Sequence, residues 1–233
     1  LPTRDNYIEN YKQTLVNLAK NGVKVVCYNF MPIFDWTRTD MFHPLEDGST
    51  ALYFDKNTIL SIQPNELLDL FKQGEGDLTL PGWEPERMTR IKELFKAYEG
   101  ITEEKLRANF KYFIDSIIPI CEEWDIKMAI HPDDPPFPIF GLPRLVSNKE
   151  NIKKLLDVNT SNYNGLTFCT GSLGSNTNNN LIEMINDFSE RIHFMHIRNV
   201  RVDETGSFSE VSLKSEDGTV DIIGVKRALC ESK

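Results

Sequence analysis

Three residues able to bind a transition metal each follow a short, mostly apolar run. The runs are Lys127-Met128-Ala129-Ile130 before His131, Leu166-Thr167-Phe168 before Cys169, and Ile192-His193-Phe194-Met195 before His196. Imidazole and thiolate are borderline-to-soft donors that suit Zn2+ or Fe2+, whereas Mn2+ favours more oxygen. Three protein ligands leave positions open for water or substrate, as in catalytic sites. The separations are 38 and 27 residues (169 − 131 and 196 − 169), which suits one ligand per consecutive β/α unit. Taken singly, a histidine after a strand is more often a hydrogen-bonded loop or core residue, and a lone cysteine is more often apolar filler. Their joint placement at three successive strand ends argues for a metal site. His193 competes with His196, but an offset of three puts the two on opposite strand faces, so at most one points inward. Arg198, two residues beyond His196 and on its face, would offer a positive fork suited to a carboxylate.

Other polar residues carry two readings each. Asp133 and Asp134 precede Pro135-Pro136, which stiffen the loop. They either hold a carboxylate over the site or form a solvated acidic turn. As proton-transfer groups they are candidates by position only. Asn29 heads a polar-aromatic loop over 29–40 that also carries Asp35, Arg38 and Asp40. Asn29 is a candidate for substrate binding, and Asp35, Arg38 and Asp40 either clamp a polar substrate or pair with one another to order the loop. Gly141-Leu142-Pro143-Arg144 either brings Arg144 near the rim or leaves it at the surface, the second being the expectation, and His43 is expected to be exposed.

These side chains need strands and helices to place them. Apolar spacing predicts a helix over 7–19, stopped by Asn21-Gly22. Residues 23–28 read as a strand buried on both faces, as in a parallel sheet. Thr102 is the expected N-cap of a long helix reaching 123. Strands near 126–131, 165–169 and 192–198 alternate with helices near 148–157, 177–188 and 220–230. The segment around 50–100 reads as inserted, partly helical material, with turn signals at Gly74, Gly76 and Pro81-Gly82. No linker divides residues 1–233, so one domain is expected. Alternating strands and helices predict an α/β fold of the (β/α)8 barrel type. Four strong strands against the eight of a closed barrel imply an incomplete barrel. A small open doubly wound sheet is the alternative.

Composition sets wider limits. The chain has 233 residues, 40% hydrophobic and 26% charged, which is ordinary for a soluble domain. Its formal charge of −9 argues against nucleic acid, which needs a basic footprint. Apolar stretches such as 113–121 are too short or too charged to cross a bilayer. Cys27, Cys121, Cys169 and Cys230 show no CxxC spacing and read as reduced thiols of a cytoplasmic protein. Leu1 in place of methionine suggests an excised piece.

Longer motifs surround these residues. They are Tyr28-Asn29-Phe30-Met31-Pro32 with Phe34-Asp35-Trp36-Thr37-Arg38-Thr39-Asp40, then His131-Pro132-Asp133-Asp134-Pro135-Pro136 and Gly141-Leu142-Pro143-Arg144. Phe168-Cys169-Thr170-Gly171-Ser172-Leu173-Gly174 and His193-Phe194-Met195-His196-Ile197-Arg198-Asn199 complete the set. In these stretches, which span the chain to about residue 200, it resembles the mannonate dehydratase family of hydro-lyases. The resemblance implies a (β/α)8 barrel, a divalent Mn2+ or Fe2+, and loss of water from D-mannonate to give 2-dehydro-3-deoxy-D-gluconate in hexuronate (glucuronate) catabolism. It implies His131, Cys169 and His196 as metal ligands, with Arg198 and Asn199 in the motif lining the site. It also implies a small sugar-acid substrate and leaves a homo-oligomer open.

The family's fourth ligand, an Asp, and a His and Tyr implicated in catalysis lie in a segment beyond the one matching Lys233. The chain alone is therefore expected to be inactive and, with unpaired strand edges, poorly stable. Residues 205–214 match unevenly. Two other readings stay open: a truncated or degenerate homologue that binds metal without catalysis, and another metal-dependent barrel enzyme such as a sugar isomerase. Thiolate ligation weighs against the last, because such isomerases more often set carboxylates around a hard metal.

Overall fold

The computed structural model describes residues 2–62 and 90–232. The turn signals at Gly74, Gly76 and Pro81-Gly82 lie outside the described residues. A parallel sheet of four strands, ordered β1 (Val25–Tyr28), β4 (Lys127–Ile130), β5 (Asn164–Cys169) and β6 (Ile192–His196), forms the frame. The order follows the chain without reversal. Right-handed crossovers then put the described helices over 103–123, 149–157 and 181–188 on one face and curl the sheet, as in half of an eight-stranded barrel. A doubly wound sheet would need a reversal in strand order, so the described strands exclude that alternative.

Each helix carries an apolar stripe that matches this packing. In α4 (Glu103–Glu123) the buried positions Leu106, Phe110, Ile114, Ile117, Ile118 and Cys121 recur at helical spacing. Thr102 caps the helix by accepting from the Lys105 N–H at 3.3 Å, as its position predicts. The first helix, α1 (Pro2–Lys20), packs on α4 through Tyr11 and Phe113, whose rings meet edge to face at 5.3 Å. The later helices α5 (Lys149–Asp157), α7 (Leu181–Phe188) and α8 (Ile222–Glu231) bury Ile152, Ile185 and Val225 in the same way. Strand β5 is buried along its whole length because a neighbouring strand flanks each side. The outer strands β1 and β6 are only partly covered, and Phe194 on β6 is 49% exposed.

A second sheet was not predicted. It is antiparallel, ordered β2 (Asp40–Pro44), β3 (Thr50–Phe54), β8 (Phe208–Val211), β7 (Asn199–Val202). Part of the loop expected over 29–40 therefore leads into β2, and the strand expected over 192–198 ends at His196. The break has a local cause. At Thr170 the partner β5 turns into the short helix α6 (Thr170–Gly174). The Thr170 hydroxyl accepts from the Arg198 N–H at 2.8 Å and donates to its carbonyl at 2.7 Å. One side chain thus takes over from the ladder, and the chain turns away. The described parts of the 50–100 segment are β3, α2 (Lys56–Ser61) and α3 (Ile91–Tyr98).

Candidate metal centre

Parallel strands share a C-terminal edge, and the three donors lie along it. Cys169 and His196 are direct register partners on β5 and β6, with Sγ and Nδ1 3.3 Å apart. His131 follows β4, where its N–H donates to the Tyr28 carbonyl of β1 at 2.8 Å. One ligand atom from each of the three lies within 4.8 Å of the others, close enough for a single cation to be reached by small side-chain adjustments. The donor chemistry fits as well. His131 Nδ1 stands 2.8 Å from the Pro132 carbonyl, an acceptor only, so Nδ1 carries a proton and Nε2 is left to ligate. Burial disfavours the Cys169 thiolate, yet hydrogen bonds from His131 and His196 and the charge of Arg198 take its pKa well below the ordinary thiol value. Thiolate is the form that binds a metal. His193 is not part of the cluster: its Nε2 lies 2.6 Å from the Asn162 carbonyl, over Gly165.

A cavity of about 390 Å3 opens beside the donors, lined on other sides by Asn29, Asp35, Trp36, Leu52, Arg198 and Glu210 among others. Asn29 Nδ2 donates to Asp35 Oδ1 at 2.9 Å, and both residues are exposed. The partners found for Asp35, Arg38 and Asp40 are other groups rather than one another: Asp35 accepts from Asn29, Arg38 pairs with Asp134 and Glu210, and Asp40 accepts from the Phe42 N–H at 2.8 Å.

Asp134 and Arg198 form the charged floor. Arg38 is fully buried and binds Asp134 through both arms of its guanidinium, Nη1 to Oδ1 at 2.9 Å and Nη2 to Oδ2 at 3.1 Å. Arg198 Nη2 reaches the same Oδ2 at 2.7 Å. Glu210, from the middle of β8, accepts from Arg38 at 3.3 Å and from Arg198 at 3.1 Å. Two cations and two carboxylates thus make a closed quartet. Burial would raise the Asp134 pKa, but the adjacent guanidiniums hold it well below the usual carboxylate range. The Arg198 fork is consequently filled by the chain's own carboxylates. Its stem crosses Gly171 so closely that a Cβ there would sit 2.0 Å from Arg198 Nε, a contact only glycine permits.

Three residues stand elsewhere than their sequence position suggested. Asp133 is no solvated turn residue: it is buried, accepts from the Val146 N–H at 2.7 Å and faces Arg144 at 3.4 Å. It does not line the cavity. Arg144 is fully buried rather than at the surface, and its Nη1 donates to the Phe34 carbonyl at 3.2 Å, joining the loop after β1 to the loop after β4. Asn199 is turned to backbone, donating to the Ser212 and Lys214 carbonyls at 3.0 and 2.8 Å and accepting from the Val220 N–H at 3.3 Å. Glu210 and Ser172 were given no role from sequence. Glu210 lies in the unevenly matching stretch, where Phe208-Ser209-Glu210-Val211 shows no apolar–polar alternation to mark a strand.

A curled parallel half-barrel with a His, Cys, His cluster at its C-terminal edge defines a β/α-barrel protein with a candidate metal site. Comparison with known proteins narrows the class. The family model described as D-mannonate dehydratase (UxuA) matches residues 1–233, and the chain belongs to that family. It is 54% identical over 228 residues to the mannonate dehydratase of Endomicrobium trichonymphae, covering 98% of this chain and 63% of that protein. It is 53% identical over 226 residues to the Bacillus subtilis mannonate dehydratase, covering 97% and 63%. The crystal structure of mannonate dehydratase from Streptococcus suis serotype 2 superposes with a TM-score of 0.84 at 40% identity, over 99% of this chain and 60% of that one. The chain thus spans about 63% of the length of the curated relatives it matches. Among the described residues no helix is long and apolar enough to cross a membrane.

Proposed function

We propose that these residues form the metal-binding part of a cytoplasmic hydro-lyase that removes water from D-mannonate to give 2-dehydro-3-deoxy-D-gluconate, a step of hexuronate catabolism. The observation that carries this reading is the convergence of His131, Cys169 and His196 within 4.8 Å, in a chain that belongs to the family. Residues 1–233 are taken as one barrel-derived domain, with the segment around 50–100 inserted into it. His131, Cys169 and His196 would hold Mn2+ or Fe2+, and the thiolate favours Fe2+ of the two. A cation held there supplies a Lewis acid for the negative charge that develops beside the substrate carboxylate.

The surrounding residues have separable tasks. Asn29 and Asp35, exposed on the cavity wall, meet the hydroxyls of a polyhydroxy acid. Arg198 engages the substrate carboxylate by exchanging Glu210 from its Nη1 arm, while Asp134 keeps the other arm in place. Elimination also needs a base and an acid, each worth about 10²–10⁴-fold. Asp134 is unfit as the base, because both of its oxygens accept from guanidinium and the flanking cations keep it ionised. Asp133 is sealed behind the Val146 N–H. Proton transfer is thus assigned to groups other than these two carboxylates. The test supplies the complete protein that carries these residues with D-mannonate and Mn2+ or Fe2+ and follows the 2-keto product. A folded, metal-loaded protein that makes none overturns the reading.

A further inference from the structure

Ser172 lies buried in α6, three residues after Cys169. Its Oγ stands 3.1 Å from Asp134 Oδ2, 3.2 Å from Arg198 Nη2 and 3.3 Å from Cys169 Sγ. A hydroxyl has one proton to share among these three neighbours. Arg198 can only donate, so the proton goes to Asp134 or to the sulfur. Asp134 Oδ2 already accepts from Arg38 Nη2 at 3.1 Å and from Arg198 Nη2 at 2.7 Å. Both bonds are charge-assisted and together fill the two lone pairs of that oxygen. The Ser172 proton is left for Cys169. The Ser172 backbone N–H adds a longer contact to Sγ at 3.5 Å.

The other donors near the sulfur are different in kind. His131 and His196 are themselves the proposed ligands, and a cation between the three would take up the ring lone pairs facing it. Ser172 has no such second duty. We propose that Ser172 is the positioning residue of the metal centre, donating its hydroxyl proton to the Cys169 thiolate and so setting the orientation and donor strength of that sulfur. Outer-shell partners of this type fix a ligand's geometry and tune its basicity. The chain Arg38–Asp134–Arg198–Ser172 then connects the buried ion pairs to the centre: by occupying Asp134, the two guanidiniums leave the serine free for the sulfur.

The inference rests on Cys169 being a ligand, and Co2+ reports on both points separately. A sulfur-to-Co2+ charge-transfer band should appear in the unmodified Co2+-loaded protein. Its absence would defeat the ligand assignment itself. With the band present, Ser172→Ala should move it to longer wavelength, because a thiolate that loses a hydrogen bond is more easily oxidised. Affinity in chelator competition should fall by about tenfold. Ser172→Thr, which keeps the hydroxyl, should leave the band in place. A band that does not move in folded, Co2+-loaded Ser172→Ala overturns the proposal. Should Ser172→Ala fail to fold, resonance Raman of the unmodified protein decides: the metal–sulfur stretch should shift between H2O and D2O, and an identical stretch in both overturns the proposal.

Discussion

In the parallel sheet, the two histidines that reach the cavity, His131 and His196, come from strand ends; in the antiparallel sheet, Leu52 and Glu210 come from within β3 and β8. The first arrangement suits ligands that must converge, since parallel strands point their C-termini to one rim. The second suits groups that reach sideways. Among the described residues the two sheets share no strand pairing. They are joined instead by the short link through Ile197 and Arg198 and by the ion pairs of buried Arg38 and Asp134 with partly buried Arg198 and Glu210. One region therefore supplies the metal donors, and the seam between regions supplies the charge balance. Stability and metal affinity should consequently respond to different substitutions.

The sharpest way to break that separation is Asp134→Ala. It strands buried Arg38 and partly buried Arg198 with Glu210 alone, and removing one partner of a buried pair such as Arg38–Asp134 costs about 3–5 kcal/mol. Denaturant unfolding should show the loss, and an unchanged midpoint would refute the structural role of the quartet. Cys169→Ser should do the converse. Metal content after dialysis should fall by more than the roughly 10–100-fold typical of outer-shell changes, with little change in unfolding. Gly171→Ala forces a Cβ into the Arg198 stem, and overpacking of this kind costs about 1–3 kcal/mol. A crystal structure of that variant should show Arg198 displaced from Asp134.

Acid titration gives a finer test. The folded pKa of Asp134 lies below its unfolded value, so its stabilising contribution is fully present above the unfolded pKa of about 4. It is lost only as pH falls through the lower folded value. Between pH 7 and 5, stability should differ between the parent and Asp134→Ala by a constant amount as far as this carboxylate is concerned. A difference that shrinks in that window through Asp134 protonation would contradict the depressed pKa.

The same contrast explains which parts were legible in sequence. The strands bearing His131, Cys169 and His196 announce themselves because each is a compact apolar run ending in a polar side chain. Thr102 and the 106–121 stripe of α4 are equally local signals. The antiparallel strands are four or five residues long and mixed in polarity, as in Asp40–Pro44 and Asn199–Val202, so neither periodicity nor length marks them. Arg38 and Asp134 lie 96 residues apart, and no local pattern couples them. Asp133 and Asp134 look interchangeable in sequence. One is committed to a backbone amide beside Arg144, and the other to two guanidiniums. Which partner each finds is decided by loops arriving from elsewhere in the chain.

The quartet also bears on how an anion would arrive. Its formal charges cancel, so at physiological salt it projects little field beyond a Debye length of about 8 Å. The rest of the chain sums to −9, which repels anions at long range. Arg198, the partly exposed arginine of the quartet, therefore acts as a short-range contact and not as a lure. For this chain, added salt should leave the association rate of a sugar acid unchanged or raise it, the opposite of the fall seen when a basic funnel draws its ligand in.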